Sequence, residues 1–118
     1  MVLAIDDDPG ILNLYRRYLD PHGFKFIGVS KSTDAVSRAA ELRPAAILLD
    51  VMMPNKDGWQ VLAELKRSNL TRDIPVIICS LVSDPTRAAE MGASAYLTKP
   101  ILETDLLLAL KRLQAPAL

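Results

Sequence analysis

Asp6, Asp7 and Asp8 stand in a row before Pro9, Asp50 follows Leu48-Leu49, Ser80 follows Ile77-Ile78-Cys79, and Lys99 precedes Pro100. Carboxylates are hard oxygen ligands, and one or two of them, with waters and phosphate oxygens, complete the octahedron that Mg²⁺ prefers. A lysine brought to the same place pairs with a carboxylate or a phosphoryl oxygen, and a serine hydroxyl donates to a second such oxygen. A carboxylate can also be the nucleophile. It then forms an aspartyl phosphate, provided a metal neutralises charge on the incoming phosphoryl group. Assembled in one place, these residues would do phosphoryl chemistry. Taken singly, each has a plainer reading. The Asp6-Asp7-Asp8 run before Pro9 is ordinary turn and helix-cap chemistry. Asp50 can simply end a strand, Ser80 can start a turn, and Lys99 can be a solvated lysine before a breaker.

The elements around these residues decide between the two. Val2 to Ile5 is an apolar run, and from Gly10 to Leu19 the residues Ile11, Leu12, Tyr15, Tyr18 and Leu19 recur at helical spacing. Asp8 suits an N-cap and Pro9 a first helical turn, while Pro21-His22-Gly23 closes the element. A second strand is expected over Phe24 to Val29, an Ala-rich helix over Ser32 to Leu42, and a third strand over Ala45 to Leu49, without alternation. Unbroken apolar strands imply burial on both faces. After the turn from Pro54 to Gly58, Trp59, Val61, Leu62 and Leu65 mark a third helix. Val76 to Cys79 is the fourth strand, followed by a short helix from about Pro85 to Met91. Ala95 to Leu97 is the fifth strand, and Leu102 to Leu113 the last helix. Five such units predict a parallel sheet with helices on both faces. Ligands of such sheets bind outside the carboxyl ends of the strands near the switch point. Strand one delivers Asp6 and Asp7 there, strand three Asp50, strand four Ser80 and strand five Lys99. The coincidence favours a site over separate accidents.

These residues also match a family. Ile5-Asp6-Asp7-Asp8-Pro9, the block Ile47 to Pro54 leading to Asp57-Gly58, the strand Val76 to Ser80, and Gly92-Ala93 followed by Tyr96-Leu97-Thr98-Lys99-Pro100 resemble the receiver domain of two-component response regulators. The resemblance runs through nearly the whole chain in order and spacing. It implies a flavodoxin-like, doubly wound α/β fold: five parallel strands in the order 2-1-3-4-5 and five helices on both faces. One receiver domain would span 1–118, with 113–118 as the start of a linker. Asp50 would be the phosphoacceptor, attacking a phosphohistidine on a sensor histidine kinase or phosphotransfer protein. Asp6, Asp7 and Asp50 would hold Mg²⁺ together with the backbone carbonyl of Met52. Lys99 would contact the phosphoryl group, Ser80 would be the switch hydroxyl, and Pro100 would follow a cis peptide bond. Tyr96 matches the family's aromatic switch, with a non-switching, half-buried strand tyrosine as the alternative. The chain would then be a signalling phosphoacceptor, limited to Mg-dependent self-phosphorylation and autodephosphorylation, and not an enzyme acting on other substrates.

One residue departs from the family pattern. Leu81 stands where the family usually has a small residue, so access to Asp50 is expected to be narrowed. Apolar Met52 and Val82 occupy positions that in the family tune water access, so a long-lived phosphoryl state is expected. A dehalogenase-type phosphatase would need an acid at position 52, which is Met52. A nucleotide-binding flavodoxin-like protein would want a Gly/Ser/Thr-rich loop in place of Asp6-Asp7-Asp8. A docking module without phosphorylation is the third alternative.

In the last helix Leu102, Leu106, Ala109, Leu110 and Leu113 share a face suited to core packing. Leu108 falls instead with Thr104, Asp105, Lys111 and Arg112, either as a single exposed leucine or as part of a surface. The fourth helix, fifth strand and last helix are the expected surface for a homodimer or a neighbouring domain. With 118 residues, 14 basic and 14 acidic side chains and half the residues hydrophobic, the chain is expected to fold as one domain with its own core. Zero net charge and no basic stripe argue against nucleic acid and anionic membrane as partners. Cys79 is the only cysteine, so no internal disulfide or cysteine-rich zinc site forms, which fits a cytoplasmic location. No membrane span is expected, and Met1 runs straight into the first strand, leaving no room for a signal peptide. His22 reads as a solvated loop residue.

Overall fold

The computed structural model describes residues 1–81 and 84–114. Val82, one of the residues expected to tune water access, therefore lies outside the described residues. The elements in chain order are β1 (Val2–Ile5), α1 (Pro9–Leu19), β2 (Phe26–Val29), α2 (Ala35–Leu42), β3 (Ala46–Leu49), α3 (Gly58–Arg67), β4 (Val76–Ser80), α4 (Pro85–Glu90), β5 (Ala95–Thr98) and α5 (Glu103–Gln114). The strands form one parallel sheet in the order β2-β1-β3-β4-β5. The doubly wound α/β architecture is the one expected.

Alternate side chains of a strand point to opposite faces, and here both faces are covered. Leu3, Ile5, Ile47, Leu49, Val76 and Ile78 pack against Ala35 and Ala39 of α2 and Val61, Leu62 and Leu65 of α3. Val2, Ala4, Leu48, Ile77 and Cys79 pack on the other side against Tyr15 and Leu19 of α1 and Leu106, Ala109 and Leu110 of α5. The three central strands are buried along their length, so truncating one of their leucines or isoleucines to alanine costs about 2–5 kcal/mol.

Element ends depart from expectation where turn chemistry intervenes. β2 begins at Phe26, not Phe24, because Asp20–His22 form a 3₁₀ turn closed by Gly23 at φ 79°. The Phe24 N–H is drawn back to the Leu19 carbonyl. The stretch from Ser32 is a 3₁₀ turn before α2 begins at Ala35. α5 starts at Glu103, with the Leu106 N–H bonded to the Leu102 carbonyl. Leu102 is thereby left in the loop and 57% exposed, outside the core face expected for it. Leu113 and Gln114 complete α5, and 115–118, the rest of the expected linker, lie outside the described residues.

Two local features fix the turns nearest the carboxyl edge. Asp8 caps α1 by accepting the Gly10 N–H at 2.8 Å, with Pro9 in the first turn. α3 opens with a capping box in which Asp57 accepts the Gln60 N–H and Gln60 accepts the Asp57 N–H. Gly58 begins α3 hard against the end of β3. Its N–H donates to the Val51 carbonyl at 3.0 Å, and a Cβ there would lie 2.1 Å from the Asp50 carbonyl oxygen. Only glycine permits that approach.

Candidate functional site

The parallel register carries β1 and β3 to the edge together. Asp6 donates its N–H to the Val29 carbonyl and Asp50 donates its own to Ile5, so each sits one residue past its strand with its backbone still tied to the sheet. Lys99 follows β5, with its N–H on the Ser80 carbonyl at 2.9 Å, and the Lys99–Pro100 peptide is cis. The Tyr18 hydroxyl of α1 donates to the Ile101 carbonyl at 3.1 Å and braces the same loop.

Carboxylate oxygens of Asp6, Asp7 and Asp50 lie within 4.8 Å of one another, and this trio could hold a metal ion. Asp6 and Asp50 are buried, while Asp7 is exposed at the rim. The Lys99 ammonium donates to Asp6 Oδ2 at 2.8 Å and stands 3.5 Å from Asp50 Oδ2. Asp6 Oδ1 accepts the Asp8 N–H at 2.9 Å, and Asp50 Oδ1 accepts the Met52 N–H at 3.2 Å. The cavity they line holds about 320 Å³ and also touches Asp8, Met52 and Leu81. Asp8 thus both caps α1 and adds a fourth acid to the wall, a second role that the cap reading did not anticipate.

The electrostatics are those of too many acids for one base. Burial pushes the Asp50 carboxyl up, and the neighbouring Asp6 and Asp7 push it further, against the opposing pull of the Met52 N–H and Lys99. Burial alone would lower the Lys99 ammonium, but its hydrogen bond to Asp6 and the charges of Asp6 and Asp50 outweigh it and hold the group above the ordinary lysine value.

Ser80 ends β4, fully buried, beside the Lys99 backbone but outside the residues lining the acidic cavity. Tyr96 lies further off, half-buried against the α2–α3 side of the sheet, with its hydroxyl accepting the Asp84 N–H at 3.2 Å. Met52 and Leu81 stand on the cavity rim, and Leu81 is 70% exposed. Cys79 is buried, as expected, and burial pushes its thiol up to about 12, so it stays protonated and is no nucleophile. Sequence periodicity placed Tyr15 in α1 without revealing that its hydroxyl is fully buried against that thiol. It finds no oxygen or nitrogen partner among the described residues. No helix among the described residues is long and apolar enough to cross a membrane.

Comparison with known proteins gives a consistent picture. The profile of the family described as "Response regulator receiver domain" matches residues 2–111. The phosphate regulon transcriptional regulatory protein PhoB of Escherichia coli K12 is 34% identical over 113 residues, covering 93% of this chain and 49% of that protein. The chain therefore spans about half the length of the curated relatives it matches. Among solved structures, the signal receiver domain of a signal transduction histidine kinase from Syntrophus aciditrophicus superposes with a TM-score of 0.85 at 30% identity, covering 99% of this chain and 95% of that one. The BeF3-activated N-terminal receiver domain of Klebsiella pneumoniae RstA gives 0.87 at 26% identity, covering 97% and 98%.

A carboxyl raised in the folded state binds its proton more tightly there than in the unfolded chain. Stability is therefore lost as pH rises from the ordinary aspartate range through the raised value. In metal-free buffer at pH 7, Asp50→Asn is expected to raise the thermal midpoint, each 1 kcal/mol relieved corresponding to about 3–6 °C in a domain of this size. The gain should shrink at about pH 4, where roughly half of the unfolded-state aspartate, and more of the folded Asp50, carries a proton. Melting curves of both proteins in EDTA at the two pH values check this; an unchanged or lower midpoint at pH 7 contradicts it.

Proposed function

The chain belongs to the response regulator receiver domain family, and on that premise we propose that it is a phosphoacceptor of two-component signalling in which Asp50 receives a phosphoryl group from a phosphohistidine of a sensor histidine kinase or phosphotransfer protein. The observation that carries this reading is the meeting of Asp6, Asp7 and Asp50 oxygens within 4.8 Å, with the Lys99 ammonium spanning two of them. The buried Asp50 carboxylate is the nucleophile. Its oxygen–phosphorus bond forms as the phosphorus–nitrogen bond breaks, and the protonated phosphoimidazole leaves as neutral imidazole.

Asp6, Asp7, Asp50 and the Met52 carbonyl would hold Mg²⁺, which when bound supplies positive charge to the phosphoryl oxygens. The trio suits it: hard oxygens, two of them buried, with more negative charge than Lys99 balances. The Lys99 ammonium, 3.5 Å from the Asp50 oxygen, is placed to neutralise a phosphoryl oxygen on that carboxylate. The Ser80 hydroxyl would donate to another, and Tyr96, tied through Asp84 to the start of α4, would follow it as the switch.

Output would be protein contact through the face formed by α4, β5 and α5. A groove of about 480 Å³ on this face is lined by Tyr96, Leu97, Asp105, Leu108 and Arg112, among others. Leu108 belongs to that groove, 49% exposed. A second copy or a neighbouring domain would seat there, in the cytoplasm, with no direct nucleic-acid contact by this chain.

Incubation with Mg²⁺ and acetyl phosphate, or with a phosphorylated kinase, is expected to label the wild type and leave Asp50→Asn unlabelled. No label on the wild type, or label persisting in the variant, overturns the reading. Leu81→Ala, which opens the rim, should label with acetyl phosphate at least about threefold faster, and an unchanged rate removes Leu81 from the account. Sedimentation with and without beryllofluoride tests the output face, since identical monomers in both states reject self-association driven by phosphorylation.

A further inference from the structure

α4 has six residues, fewer than a helix needs to be stable by itself in water, so its place is set by what grips it from outside. Ala88 is its one buried residue, set into the cluster with Val61, Leu62 and Leu65 of α3. Asp84 holds its start, accepting the Arg87 N–H at 3.2 Å and donating its own N–H to the Tyr96 hydroxyl. The Arg87 side chain has no carboxylate partner among the described residues. Its guanidinium lies instead over the ring of Trp59, 4.4 Å from the centroid, where the negative face of the indole attracts it.

Trp59 is the second residue of α3, half-buried against the same cluster as Ala88. It is joined by one peptide to Gly58, whose backbone is pressed onto that of Asp50 and Val51 with no room for a Cβ. Trp59 is thus linked by its backbone, one residue on, to the Gly58 contact with Asp50, and carries Arg87 at the face of its ring.

We infer that the Arg87–Trp59 stack is a clamp that fixes α4 against α3 and gives the Asp50 loop a mechanical line to that helix, separate from the line through Ser80 and Tyr96. The clamp stands on geometry alone; its use as a line from Asp50 rests on the phosphoacceptor reading.

Hydrogen exchange on the unphosphorylated chain tests the clamp. The amides of Ala88, Met91 and Ala93, bonded to Asp84, Arg87 and Ala88 carbonyls, report α4 and its exit. Arg87→Gln, which keeps helix propensity, and Trp59→Leu, which keeps apolar bulk, should each speed their exchange about two- to fivefold, the range expected for an exposed cation–π contact. The double variant should be no faster than either single one, Trp59→Phe should keep much of the protection, and β1 amides should not change. Unchanged α4 exchange, or additive effects of the two variants, overturns the clamp.

Trp59 is the only tryptophan, so its emission reads the line to Asp50 directly. Adding Mg²⁺ and beryllofluoride should shift that emission in the wild type and, since the Gly58 contact is untouched, in Arg87→Gln as well. The accompanying change in α4 exchange should be smaller in Arg87→Gln. If the complex forms, as a rise in thermal midpoint shows, and wild-type emission stays still, the line is overturned. If no complex forms, it is the phosphoacceptor reading that fails, and the exchange result still decides the clamp.

Discussion

Three aspartates meet at one edge of a buried sheet where a single ammonium pairs with two of them, and the rest of the molecule holds that imbalance in place. Asp6 and Asp50 are nearly inaccessible to water, yet their only cationic partner among the described residues is Lys99, 2.8 Å from one and 3.5 Å from the other. Ionised carboxylates in such a place are costly unless paired, hydrogen-bonded or bound to a cation. Backbone N–H groups of Asp8 and Met52 meet part of the demand, and burial still raises the Asp50 carboxyl. Without a metal, the fold holds Asp50 in an environment that favours an added positive charge.

That arrangement depends on rigid neighbours. β1 and β3 are adjacent and in register, so the residues that follow them emerge side by side, and the Lys99 backbone is tied to Ser80 at the end of β4. The apolar faces of these strands supply the rigidity, while the loops they end in supply the chemistry, a division common to parallel α/β sheets. Gly58 brings the start of α3 against the Asp50 backbone, which makes the acidic edge continuous with the helical layer behind it.

Much of this was legible in the residue order. Short unbroken runs such as Ala46 to Leu49, bounded by turn residues, fit strands covered on both faces, and placing Asp6, Asp7, Asp50, Ser80 and Lys99 at one edge follows from the topology. What stayed hidden depends on contacts remote in sequence or on local turn geometry. The periodic pattern assigned Leu102 to the core face of α5, but the helix begins one residue later and leaves it in the loop. Phe24 is apolar enough for a strand, yet the Asp20–His22 turn keeps it out of β2. The second role of Asp8, the burial of the Tyr15 hydroxyl against Cys79 and the stacking of Arg87 on Trp59 carry no spacing signal, because each pairs elements that only the folded chain brings together.

If unbalanced negative charge at the sheet edge is what defines this molecule, a divalent cation should enter it at one place and for one reason. Calorimetric titration of the wild-type chain with Mg²⁺ is the direct measurement. The account requires a single site per chain, with affinity falling at least about tenfold in Asp7→Asn, which removes an exposed carboxylate without disturbing the core. Absence of binding, or binding indifferent to that substitution, would contradict it.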